Sequence, residues 1–164
     1  MRFVFLLLCC SLSFLSFGQN PLVDKTLPNL SLKNLDGQTV NVADLGKNGK
    51  ITVISFWAVW CIPCQKELDN LALLSEDWQT EFDLEIIAIS TDDTRTTQKV
   101  KSLVNGNDWP FEVLLDPNGD MKRAMAFQLI PHTILVDADG KIAYVHSGYV
   151  EGDEYVLEDE IRGL

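Results

Sequence analysis

The stretch that most constrains this chain is Phe56-Trp57-Ala58-Val59-Trp60-Cys61-Ile62-Pro63-Cys64. A nearly continuous apolar run, Ile51-Thr52-Val53-Ile54-Ser55-Phe56, leads into it. That run reads as a central strand covered on both faces. After it, Leu68, Leu71, Ala72 and Leu74 fall on one face of a helix over about residues 63–78. Two thiols therefore stand where a buried strand becomes a helix. A helix start carries unpaired N–H groups and a partial positive charge. Both favour a thiolate over a thiol, and the thiolate is the reactive form.

The rest of the chain supplies the context. Residues 30–32 and 39–42 alternate apolar and polar around Asp36-Gly37, a hairpin signal. Residues 19–27 read as an exposed lead-in and 44–50 as a turn. A second apolar run, 84–89, predicts another central strand. Thr91-Asp92-Asp93-Thr94 then offers caps for a helix to about Val104, which Asn105-Gly106-Asn107 stops. A short strand at 111–115, the turn Asp116-Pro117-Asn118-Gly119 and a short helix at 120–127 come next. A strand at 133–136 turns at Asp139-Gly140 into a strand at 141–146, and a last helix spans 152–162. This β-α-β-α-β-α-β-β-α order predicts an α/β sandwich on a mixed central sheet with an antiparallel pair at its end.

The 164 residues suffice for one domain. A net charge of −11 argues against nucleic acid and anionic membrane surfaces as partners. The N-terminus reads as a targeting segment: Met1-Arg2, an apolar run over 3–15, then Ser16-Phe17-Gly18. The expected division is a signal peptide at 1–18 and a single domain at 19–164. The apolar run is short for a membrane span of about 20 residues; an uncleaved membrane tether is the competing reading. Cys9 and Cys10 leave with a cleaved leader, so the mature chain keeps only Cys61 and Cys64. A bridge between them closes too small a loop to constrain the unfolded chain much. The pair is there for chemistry or metal.

A strand, Cys-x-x-Cys and a helix in a βαβ context form a redox signature. Trp57-Ala58-Val59-Trp60-Cys61-Ile62-Pro63-Cys64 resembles the active-site segment of thioredoxin-fold proteins. The leader, the 30–42 hairpin, the helix and strand inserted between Thr94 and Leu115, and Pro131 before Thr133-Ile134-Leu135-Val136-Asp137 narrow the resemblance. They are similar to the TlpA/ResA-like exported thiol–disulfide oxidoreductases over essentially the whole mature chain. The resemblance implies a thioredoxin-like sandwich with an N-terminal β-hairpin and an inserted α/β element. It implies a redox-active Cys61–Cys64 disulfide and no cofactor or resident metal. Its partners would be exported protein clients, such as apocytochromes c in cytochrome c maturation, in the periplasm or cell envelope. A membrane thiol reductant would act as electron donor.

Cys61, at the exposed mouth of the turn, attacks, and Cys64, one turn inside the helix, resolves. Pro63 preorganises the first helical turn. Trp60 and Ile62 flank Cys61, Trp60 as a shield against which clients pack, while Trp57 reads as core. Ile130-Pro131 resembles the family's cis-proline loop, which faces the disulfide and pairs with an extended client segment. Glu67 shares a helix face with Cys64; the resemblance gives a glutamate here a part in proton transfer. Thioredoxin has a buried aspartate six residues before the first cysteine, where this chain has Ser55. A hydroxyl cannot serve as a base near neutral pH, so Glu67, His132 or water must handle protons. His132 is expected near the disulfide; no role is expected for His146. Two other functions compete with this one. A copper-binding or delivery module would use Cys61, Cys64, His132 and His146, at a spacing unlike compact metal sites. A thiol peroxidase places Pro and Thr ahead of its cysteine, and Ala58-Val59-Trp60 does not.

Overall fold

The computed structural model describes residues 20–164; the expected leader, with Cys9 and Cys10, lies outside them. Seven strands run β1 Ser31–Asn34, β2 Thr39–Asn41, β3 Ile51–Trp57, β4 Leu84–Ser90, β5 Glu112–Leu115, β6 His132–Val136 and β7 Ile142–Ser147. Four helices run α1 Ile62–Phe82, α2 Thr97–Asn107, α3 Asp120–Ala124 and α4 Asp153–Arg162. The strands form one mixed sheet, ordered β2-β1-β5-β4-β3-β6-β7. β3, β4 and β5 are parallel. β6 runs antiparallel to β3, placing Ser55 beside Thr133 and Phe56 beside His132. β7 closes the expected antiparallel end and sets His146 opposite Thr133.

β3 is buried from Thr52 to Trp57, and mostly apolar, because both its faces are covered. Val53 and Trp57 pack with Leu68, Leu71, Trp78, Val100, Trp109 and Leu157 under α1, α2 and α4. Ile54 and Phe56 point the other way, into a second layer with Leu114, Met121, Phe127 and Ile134. Cys61 and Cys64 belong to the first layer. Side chains alternate across a strand, so the face of each β3 and β6 residue decides which chemistry it can join.

Several boundaries differ from the sequence expectation. α1 runs four residues past Trp78 and ends where Asp83 turns left-handed at φ 49°. Phe82, in its last turn, packs under the Arg162 guanidinium, 4.9 Å from the ring centroid. α2 begins at Thr97, not near Thr94, because Asp93 turns its carboxylate onto the N–H groups of Arg95 and Thr96 and holds a turn there. It also runs through Asn105-Gly106-Asn107 and stops only at left-handed Asp108. α3 ends at Ala124, since left-handed Ala126 redirects the chain and sends Phe127 into the second layer. The lead-in is not merely exposed. Asp24 N–H donates to Ile142 O and Ile142 N–H to Lys25 O, at 2.9 and 2.8 Å, and Leu27 is buried. The β1–β2 hairpin docks antiparallel on β5, at the end of the sheet away from β6 and β7.

Candidate active site

The turn from β3 to α1 is tied down on three sides. Thr91 donates to Trp57 O through its N–H at 2.8 Å and its hydroxyl at 3.1 Å. Val59 N–H donates to the Asp92 carboxylate at 2.9 Å, and the Gln65 amide donates to Val59 O at 2.8 Å. Asp92 also accepts from the Ser90 hydroxyl and is itself buried. Neither Thr91 nor Asp92 caps a helix, as the sequence suggested; they fix the loop ahead of the cysteines. Loops that carry chemistry need such a rigid frame.

Cys61 and Cys64 are joined as a disulfide. Cys61 is the N-cap of α1, and its sulfur accepts the Cys64 N–H at 3.3 Å. Pro63 sits in the first turn, where its missing N–H leaves nothing unpaired. Trp60 and Ile62, the neighbours of Cys61, are 68% and 62% exposed. In this bridged form Cys61 does not sit at an exposed mouth: it is 4% exposed against 0% for Cys64. The apolar neighbours, not the sulfur, present the larger surface. Trp57 is core, as expected, fully buried and edge-on to Trp109 at 5.1 Å.

Ile130-Pro131 is a cis peptide bond. Ile130 packs against the layer that holds both cysteines, and Pro131 is buried with its carbonyl accepting Gly148 N–H.

Glu67 lies one turn beyond Cys64 and is buried rather than on the surface. The Ser55 hydroxyl donates to one of its carboxylate oxygens at 2.7 Å and the Thr133 hydroxyl to the other at 2.6 Å. Burial pushes the Glu67 carboxyl above its ordinary value, against the opposing pull of the two hydroxyls. Ser55 thus does not replace a missing acid; it holds the acid that α1 supplies. Thr133 was not singled out in the sequence. The only hint was its place two residues after Pro131, on the strand beside β3.

His132 does not meet its expectation. Alternation along β6 turns Thr133 toward α1 and His132 into the opposite layer. Its ring stacks on Phe127 at 4.4 Å, and its Nδ1 shares a hydrogen bond with the Ser147 hydroxyl at 2.8 Å. Burial lowers it to about 4, so it is neutral at pH 7 and cannot favour a thiolate by charge. Among the described residues no group of three or more His, Cys, Asp or Glu is arranged to hold a metal ion.

The profile of the AhpC/TSA family matches residues 23–145. The chain belongs to the AhpC/TSA family. Within it, the chain is 32% identical to the thiol-disulfide oxidoreductase ResA of Bacillus cereus over 142 residues, 87% of this chain and 78% of that one. A thioredoxin-like protein from Porphyromonas gingivalis superimposes with a TM-score of 0.76 at 48% identity, covering 84% of this chain and 90% of that one. StoA from Bacillus subtilis, at 20% identity and a TM-score of 0.65 over 85% of this chain and 98% of its own, shares the fold. The thioredoxin-like fold and the ResA-like resemblance therefore hold, and the chain is a ResA-like thiol–disulfide oxidoreductase of the AhpC/TSA family.

Proposed function

We propose that this ResA-like member reduces disulfides in exported protein clients, with Cys61 as attacking sulfur and Cys64 as resolving sulfur. The observation that carries the assignment is the Cys64 N–H directed at Cys61 Sγ at the start of α1. That group and the helix dipole stabilise negative charge on Cys61 once the bridge is open. The Cys61 thiolate attacks one sulfur of a client disulfide, forming a mixed disulfide and expelling the other client sulfur as a thiolate. The Cys64 thiol gives its proton to the Glu67 carboxylate and attacks Cys61 Sγ. The client's second sulfur then leaves as a thiolate. Two electrons pass to the client and the Cys61–Cys64 bridge forms.

A carboxyl raised by burial suits the proton step, because it takes up a proton more readily than an exposed glutamate does. Exposed Trp60 and Ile62, with the Ile130-Pro131 segment, form the surface on which an extended client lies. The leader at 1–18 would carry the 19–164 domain to the periplasm or cell envelope, free or tethered. There a membrane thiol reductant would restore the dithiol, and apocytochromes c are the client class the ResA resemblance favours.

Cys64→Ala tests the assignment. Without the resolving thiol, the mixed disulfide persists on Cys61. Non-reducing gels of the expressing cell's envelope should show client adducts that disappear with dithiothreitol. Adducts carried instead by a Cys61→Ala variant that keeps Cys64 would reverse the two roles.

A further inference from the structure

Glu67 has a second side, away from the hydroxyls that hold it. Glu67 and Thr133 line a cavity of about 20 Å3, together with Tyr149, Asp153 and Glu154 around the start of α4 and His146 on β7. That is room for about one water. His146 stands on the Thr133 side of the sheet as its cross-strand neighbour. Its Nε2 lies 3.3 Å from Asp153, which is anchored in turn by the Val150 N–H at 2.8 Å. The His146 side chain is 37% exposed, so it touches both the cavity and solvent.

We propose that His146, positioned by Asp153, governs whether Glu67 holds a proton, and so couples disulfide exchange to external pH. The inference rests on the reading of Glu67 given above. The other groups facing His146 cannot take its place. Tyr149 donates to Glu154 at 2.8 Å and is pushed up to about 12 by burial, so it is neutral. Tyr144, whose ring lies parallel to that of His146 at 6.3 Å, is also shifted upward by burial. Glu154 is committed to the Tyr149 hydroxyl and the Gly152 N–H. His132, on the neighbouring strand, is neutral and faces the other layer. Imidazole is the side chain that ordinarily changes charge between pH 5 and 8. A cavity that holds about one water screens it from Glu67 far less than bulk solvent would. A positive ring favours the Glu67 carboxylate, and Asp153 opposes it.

The test is the pH–rate profile of mixed-disulfide resolution in the full domain, followed with a quenched-fluorophore disulfide peptide. Glu67→Gln first identifies the step that belongs to Glu67, by removing it. His146→Gln should then move that step up by about half a pH unit, a threefold change in proton affinity, and His146→Lys should move it down. In a Glu67→Gln background neither His146 variant should change the profile. A purely structural role would not give opposite shifts. If both variants leave the step in place, or move it the same way, the coupling is wrong while the Glu67 reading stands. If Glu67→Gln leaves the profile unchanged, the Glu67 reading fails and takes this inference with it.

Discussion

Cys61→Ser abolishes disulfide exchange: the expected loss is about 10³-fold or more, on the order of 4 kcal/mol of transition-state stabilisation. The hydroxyl has nearly the same size and can still accept the Cys64 N–H that the sulfur accepts. What it lacks is a pKa that the helix start can bring into range. A serine stays protonated at neutral pH, and its oxygen does not form the mixed disulfide. The variant also loses the bridge, but the closed loop is so short that its contribution to stability is small. Reduction of a model protein disulfide, with circular dichroism as a check on folding, separates the two effects. A folded Cys61→Ser protein that still reduces the disulfide through Cys64 would place the attacking sulfur one turn further into α1.

Glu67→Gln changes the pH dependence of stability. Burial holds the Glu67 carboxyl above its ordinary value in the folded chain; in the unfolded chain a glutamate titrates at about 4.3. Between those two values the folded state keeps a proton that the unfolded state has released. Stability therefore falls as pH rises through that window, with a slope approaching about 1.4 kcal/mol per pH unit. The contribution is fully present below the unfolded value and is lost above the folded one. Glutamine does not ionise, so the variant lacks this slope. Its amide must donate to the Ser55 or Thr133 hydroxyl in place of one acceptor, an offset that does not vary with pH. Urea unfolding of the oxidised proteins from pH 4 to 8 should give curves that diverge in the variant's favour as pH rises. Curves that stay parallel would show that burial does not raise this carboxyl.

The strand–CxxC–helix core was legible because one local stretch fixes it. A mostly apolar run, two cysteines and a proline specify β3, the turn and the first turn of α1 without reference to the rest of the chain. The paired β6 and β7 were legible for the same local reason, the turn at Asp139-Gly140. What could not be read is what depends on which strand lies beside which, and on which face. Ser55, Glu67 and Thr133 meet only because β6 lies against β3 in a register that sets Ser55 beside Thr133. A one-residue shift would have given that place to His132. β6 is buried on both faces, so its sequence carries no polar alternation to mark the side that meets α1. Asp92 looked like a helix cap because Asp and Thr cluster there. Its role as anchor of Val59 appears only once β4 and β3 run in parallel and end together. The docking of β1 on β5 likewise has no local signature.

The most direct measurement is the rate of iodoacetamide reaction at Cys61 in the fully reduced protein, followed from pH 4 to 10. If the start of α1 makes this sulfur acidic, the rate reaches half its plateau well below the about 8.5 of a free thiol, and the protein returns to the Cys61–Cys64 bridge when an oxidised client is added. A half-point at or above that of a free thiol, or a reduced pair that never closes again, contradicts it.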